Sequence, residues 1–301
     1  MRIAVLISTY NAEKYICEQL DSIFKQEGNL EIHIYIRDDG STDHTRTILK
    51  DYEEQKKVTV IQGQNVGPAH SFLQLFSMVS GYDFYAFADQ DDYWYPHKLI
   101  TEIKLFRNNN RPQIVFSNSE IVDSNLGTLG SNLFKSKPML NLETVFVFAS
   151  VQGCTMVWNN SLHDIVRNCD IPEIVIMHDS FLARVCVAVG GQIDYIDEPL
   201  IKYRQHENNV IGVSKSLFEK VIGILLSVIR KDPVSISEQA KAISDTYYSY
   251  IPEKNSEYIN SIIGYRKNIK RRLSLLLNKN IVFNALSVKV IMSFKILMGT
   301  R

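Results

Sequence analysis

The feature that most constrains this chain is a repeated alternation of short apolar runs with helical stripes through its first hundred residues. Ile3–Ser8 is a short apolar run, read as a buried strand. Asn11 follows as the expected cap of a helix with Ile16, Leu20, Ile23 and Phe24 on one face. Ile32, Ile34 and Ile36 alternate with His33, Tyr35 and Arg37, the period of a second strand. Ser41 or Thr42 is the expected cap of the next helix, which carries Ile48, Leu49 and Tyr52. A third strand is expected over Val58–Ile61. A helix then opens at Gly67-Pro68, where the missing proline N–H costs nothing. Phe84–Ala88 reads as a fourth strand, Pro96 opens a helix carrying Leu99, Ile103 and Phe106, and Gln113–Ser117 reads as a fifth strand.

Strands separated by helices predict an α/β fold, a mostly parallel Rossmann-like sheet with helices on both faces. Such sheets bind ligands outside the carboxyl ends of their strands. Three polar clusters fall there: Thr9-Tyr10-Asn11, Asp38-Asp39 and Asp89-Gln90-Asp91-Asp92. Three carboxylates within four residues repel one another unless a cation intervenes. Mg²⁺ or Mn²⁺ takes such oxygen ligands and keeps positions open for water and phosphates. A solvated acidic turn is the bland alternative, and the preceding strand weighs against it. Asp38-Asp39-Gly40-Ser41 alone reads as a turn; facing the first cluster, it can accept hydrogen bonds from a base or ribose.

The second half is less regular. Residues 118–141 read as loop-rich, and Gln152–Trp158 as a turn into a strand. Helices are expected near Ser161–Cys169 and Asp179–Val189, and a strand near Gln192–Ile196 that runs on to Tyr203. A composition shift near Val213 separates a body, residues 1–213, from a helical extension, residues 214–301. The formal charge is zero, but it is unevenly placed. Tyr258–Arg301 holds nine Lys/Arg and no acid, which leaves residues 1–257 at −9. Ser216–Ile229 and Asn268–Met298 are apolar with scattered bases. They are expected either to pack on the body or a second subunit, or to dock on an anionic membrane leaflet, with the one-sided charge favouring the leaflet. The four cysteines show no CxxC spacing and are expected as free thiols in a reducing cytoplasm. The first residues are too short an apolar run for a signal peptide, and no run of about 20 apolar residues suggests a spanning helix.

Seven stretches, in order over residues 1–212, resemble the family-2 glycosyltransferases, the large inverting group with the GT-A fold: VLISTYNAEKYICEQLDSIFKQ, IRDDGSTDHT, NVGPAHSF, FADQDDYWYPHKL, QGCTMVWN, MHDSFLARV and YRQHENNVIG. FADQDDYW and YRQHENN look most like a subgroup that includes bacterial rhamnosyltransferases of surface polysaccharide assembly. The resemblance implies that Thr9 and Asp39 contact the nucleotide base, with Asp38 beside them. Asp89 matches the first acid of a DxD motif, near ribose and metal. Asp91 matches the direct metal ligand, Asp92 an added polar partner, and Asp179 the catalytic base.

His206 is a further candidate for the metal or a donor phosphate, Asn65 for the nucleotide pocket along with Gly67 and His70, and Tyr93 and Trp94 for a stacked sugar or for anchoring the next helix. Asp179 also reads as a helix N-cap. Two departures stand out. Ser180-Phe181 replaces the aromatic residues that often follow the His-Asp pair. The QxxRW motif of polymerising members has no tryptophan here, which argues for single-sugar transfer. The expected donor is a nucleoside diphosphate sugar, dTDP-rhamnose or a UDP-hexose, and the expected acceptor a glycan or polyprenol-linked glycan. The expected place is the cytoplasm, peripheral on the inner face of the membrane. A sugar-nucleotide nucleotidyltransferase or a non-catalytic carbohydrate-binding protein are the alternatives; the first lacks a glycine-rich basic phosphate loop near Ser8–Asn11.

Overall fold

The computed structural model describes residues 1–107, 109–206 and 234–299. Its first four strands are β1 (Arg2–Thr9), β2 (Glu31–Asp38), β3 (Val58–Gln62) and β4 (Phe84–Ala88), all parallel in the order β3-β2-β1-β4. Between them run α1 (Ile16–Phe24), α2 (Thr45–Glu54) and α3 (Pro68–Met78). The expected rhythm is therefore present. Alternate residues face opposite sides of the sheet. Ala4 and Leu6 join Tyr85, Phe87 and the α3 residues Phe72 and Phe76 in one core. Ile3, Val5 and Ile7 join Ile16, Leu20, Ile23 and Leu49 of α1 and α2 in the other. Strands buried on both faces must be apolar at nearly every position, as these are.

The sheet continues with β5 (Tyr93–Trp94), β6 (Gln113–Val122), β7 (Thr128–Asn132), β8 (Val157–Asn159) and β9 (Gln192–Arg204), in the order β4-β8-β6-β9-β5, with β7 on β6. β8 is antiparallel to both β4 and β6, while β6 and β9 pair in parallel over their length. The loop-rich reading of residues 118–141 thus needs correction. β6 runs on to Val122, and a hairpin brings back β7, whose residues are all exposed and carry no apolar alternation. Tyr93 and Trp94 form a two-residue strand against β9, with Trp94 wholly buried.

Two expected caps also move. α1 begins at Ile16, and Asn11 sits earlier at φ +51° with Oδ1 accepting the Thr42 N–H at 2.9 Å. α2 begins at Thr45, whose N–H donates to Asp43 Oδ1 at 3.0 Å, while Ser41 Oγ accepts from the Asn11 N–H at 2.9 Å. These polar side chains lace the β1 and β2 loops together instead of starting helices.

The remaining α-helices among the described residues are α4 (Lys98–Ile103), α5 (Leu142–Val147), α6 (Asn160–Arg167), α7 (His178–Ala188), α8 (Ile236–Tyr247), α9 (Glu253–Ile263), α10 (Ile269–Leu276) and α11 (Leu286–Met298). α8 starts with a full capping box between Ser235 and Glu238. α8 and α9 pack on α5 and α7, so the C-terminal helices extend the first core. The expected boundary at Val213 and the expected helix over Ser216–Ile229 lie outside the described residues.

On α4, Lys98 Nζ donates to Glu102 Oε2 at 2.7 Å with both side chains fully buried, and it lies 4.2 Å from the Trp94 ring centroid. Burial pushes the Glu102 carboxyl up to about 7 even though Lys98 pulls it down. Removing one partner strands the other. Lys98→Met is expected to destabilise the fold by about 3 kcal/mol, measured by urea unfolding. Lys98→Met with Glu102→Leu is expected to recover most of that loss.

Candidate active site

Thr9, Asp38 and Asp89 lie at or just past the carboxyl ends of β1, β2 and β4, as the topology requires. Thr9 and Asp38 are paired in register across β1 and β2, and both are fully buried. Asp38 Oδ2 accepts from the Ser41 N–H at 3.1 Å and from Arg46 Nε at 2.8 Å. Asp39 accepts from the N–H groups of Val66 and Gly67, both at 3.0 Å, and pairs with the Arg37 guanidinium. Asp39 thereby ties the end of β2 to the start of α3, with Asn65 exposed on the loop between. Gly40, at φ +87°, lies against that loop; a Cβ there would come 3.1 Å from the Asn65 backbone nitrogen. Gly67, at φ +81°, takes a backbone conformation that L side chains rarely adopt.

The acidic run is held from two sides. Gln90 grips the β1 loop, with Oε1 accepting the Tyr10 N–H at 2.7 Å and Nε2 donating to the Tyr10 carbonyl at 3.2 Å. Arg204, at the end of β9, holds the other side. Its backbone N–H donates to Asp92 Oδ1 at 3.1 Å, Nε to the Asp91 carbonyl at 2.7 Å, and the guanidinium reaches the Ser124 carbonyl and Glu18 at 2.6 Å each. Its guanidinium carbon lies 4.4 Å from the Tyr15 ring centroid, and Tyr15 stacks on His206 at 5.0 Å. His206 Nε2 then hydrogen-bonds Asp91 Oδ2 at 2.8 Å.

Within the run the carboxylates separate. Asp91 turns to His206. Asp89 and Asp92 instead converge with the Cys154 thiol, one ligand atom of each lying within 4.8 Å of the others. Asp92 is fully buried and its Oδ2 has no hydrogen-bond partner. Burial pushes the Asp89 carboxyl up to about 7, with Asp91 and then Asp179 adding repulsion. Burial, then Asp91 and Asp89, raise the Asp92 carboxyl well above the usual range, and burial, then Asp92 and Asp89, raise the Cys154 thiol well above its own. The folded cluster is short of positive charge. A divalent cation fits the set that converges here, an oxygen each from Asp89 and Asp92 with the Cys154 sulfur beside them, while Asp91 and His206 stand apart as a bonded pair.

Asp179 comes to the same place from another direction. It lies in the first turn of α7, whose N-cap is Met177, so the N-cap reading is corrected. Its Oδ1 accepts from the Ser180 N–H at 2.6 Å, and its Oδ2 from the Gly153 N–H at 3.2 Å. A Cβ on Gly153 would sit 2.9 Å from His178 Nε2 and 3.2 Å from Asp179 Cβ, so only glycine lets this loop approach α7. His178 stacks on Phe72 at 4.1 Å, and burial pushes it down to about 4 against the pull of Asp179. It is therefore neutral near pH 7 and adds no charge beside the carboxylate.

Gln90, Cys154 and Arg204 were not among the expected site residues. Each acts across a long sequence separation, and for Arg204 the available signal was its place two residues before His206. Arg204→Met leaves the Asp91 and Ser124 carbonyls short of a buried donor; the exposed Glu18 contributes little. We expect a loss of about 2–4 kcal/mol in urea unfolding, and weaker Mn²⁺-dependent nucleotide binding by calorimetry.

Residues 4–165 match the family described as Glycosyl transferase family 2. The chain is 30% identical over 230 residues to the dTDP-rhamnosyl transferase RfbG of Shigella flexneri, covering 71% of this chain and 76% of that one. The chain belongs to glycosyl transferase family 2, and it is a glycosyltransferase. Among solved structures it is similar to TarS residues 1–349 of S. aureus in complex with UDP-GlcNAc, with TM-score 0.54, 17% identity, and coverage of 99% of this chain and 90% of that one. It is also similar to the mannosyltransferase PcManGT of Pyrobaculum calidifontis in complex with GDP-Man and Mn²⁺, with TM-score 0.53, 16% identity, and coverage of 99% and 85%. These likenesses show the GT-A fold.

Proposed function

We propose that this chain is an inverting transferase that moves one sugar from a nucleoside diphosphate sugar to an acceptor hydroxyl of a bacterial cell-surface polysaccharide. The observation that supports the reading is convergence: Asp179 Oδ2 accepts from the Gly153 N–H at 3.2 Å, and the next residue, Cys154, brings its thiol within 4.8 Å of an oxygen each of Asp89 and Asp92. A base and a diphosphate site side by side are what such a transfer needs. Thr9, Asp38, Asp39 and Asn65 form the pocket for base and ribose, and Asp89, Asp91 and His206 hold Mn²⁺ or Mg²⁺, with Asp92 in support. When bound, that cation supplies positive charge against the diphosphate leaving group. Asp179 accepts the acceptor proton as the new bond forms. A sugar hydroxyl is too weak an acid to ionise unaided, and a positioned carboxylate contributes about 10²–10⁴-fold. Attack opposite the leaving group inverts the anomeric carbon, and no covalent enzyme intermediate is needed.

The relationship to RfbG favours dTDP-rhamnose as donor; the likeness to a UDP-GlcNAc complex keeps a UDP-hexose in view. The test is a panel of nucleoside diphosphate sugars with a glycan acceptor, the product read by NMR. The expected result is metal-dependent release of nucleoside diphosphate and an inverted anomeric centre. A retained configuration, or pyrophosphate released from a sugar phosphate and a nucleoside triphosphate, contradicts it.

A further inference from the structure

The last two helices are amphipathic in the wrong sense for a protein surface. On α11, Leu286, Val290, Phe294 and Leu297 follow one helical stripe, and all four are exposed, Leu286 at 78%. The buried residues of this helix are Lys295 and Ile296. On and just past α10, Ile269, Leu273 and Leu277 repeat at four-residue spacing and are exposed, Leu277 also at 78%. α10 and α11 pack against each other, so the two rows belong to one unit. Exposed cations accompany them: Lys267, Lys270, Arg271, Lys279 and Lys289. No acid occurs from Tyr258 to Arg301. Exposed apolar rows on two paired helices, in a segment with charge of one sign, mark an interaction site.

We infer that this face docks on the surface of an anionic lipid bilayer. Apolar rows bury in the headgroup boundary while lysines and arginines meet lipid phosphates. A second copy of the chain fits less well, because a two-fold contact would set the same cations against themselves. Among the described residues no helix is long and apolar enough to cross a membrane. The face is tied to the catalytic body. Asn141 Nδ2 and Thr144 Oγ1 donate to the Asn280 carbonyl at 2.8 and 3.0 Å, and α5 packs on α7, the helix that carries Asp179. Docking itself is independent of catalysis. Its bearing on the reaction, that the acceptor is presented at a lipid surface, rests on the function proposed above.

The test is co-sedimentation of the full chain with vesicles of phosphatidylcholine alone, or with about one third phosphatidylglycerol. The expected result is at least about tenfold stronger partition onto the anionic vesicles, falling as salt rises. Val290→Glu with Phe294→Glu, both at exposed positions, is expected to abolish it. Lys279→Glu with Lys289→Glu is expected to weaken it. Asp179→Asn is expected to bind vesicles normally, which separates this inference from the catalytic one. Equal partition onto both vesicles overturns the proposal. So does no partition by a chain that sediments as a dimer and becomes a monomer in the Val290→Glu, Phe294→Glu variant.

Discussion

Asp179→Asn is expected to lower the rate of sugar transfer by about 10³-fold while leaving nucleotide affinity within a factor of about two. The asparagine has the same shape and keeps one acceptor oxygen for the Gly153 or the Ser180 N–H, so the loop and α7 stay docked. What is lost is the basic carboxylate, an interaction realised only as the acceptor proton moves. Steady-state kinetics with donor and acceptor varied separately check this. kcat should carry the effect, with KM for the donor nearly unchanged. A variant that loses donor affinity instead would place Asp179 in donor binding rather than in proton transfer.

Asp91→Ala is expected to reduce transfer by about 10³-fold or more, for a different reason. Asp91 is the carboxylate that faces His206, and without it the proposed cation loses one of its strong oxygen ligands. The diphosphate leaving group would then lack its counter-charge. The variant should fold, because the site retains the Arg204 bonds to the Asp91 carbonyl and to Asp92. It should also lose the thermal stabilisation that Mn²⁺ confers on the native chain, about 2.7 kcal/mol at a hundredfold excess over Kd. Differential scanning fluorimetry with and without Mn²⁺ checks this. His206→Ala, which removes an imidazole rather than a carboxylate, should lose less.

The N-terminal half of the fold was legible because its strands are buried on both faces. Runs such as Ile3–Ile7 and Phe84–Ala88 are apolar without a break, and the helices between them show a 3.6-residue stripe. The placement of Thr9, Asp38, Asp39 and Asp89 followed from topology, since parallel strands deliver their carboxyl ends to one edge. The insertion of β8 between β4 and β6 was not legible. Antiparallel pairing of Val157–Asn159 with residues 42 to 75 positions earlier leaves no local pattern. β7 was hidden because its exposed residues need no apolar alternation. The caps expected at Asn11 and Ser41 failed for a related reason. Those side chains found partners in each other's loops, and tertiary contacts outweighed local helix signals. The grips of Gln90 on the β1 loop and of Arg204 on the acidic run likewise span 80 and 113 residues. Chemistry carried by a motif was visible in the sequence, and the residues that aim it were not.

The most direct measurement is a calorimetric titration of nucleoside diphosphates into the native chain, Asp91→Ala and Asp179→Asn, each with and without Mn²⁺. If the run from Asp89 to Asp92 is the metal and diphosphate site, binding to the native chain strengthens by at least about tenfold with Mn²⁺. That gain disappears in Asp91→Ala and survives in Asp179→Asn. Equal affinity with and without the metal, or an unchanged gain in Asp91→Ala, would contradict it.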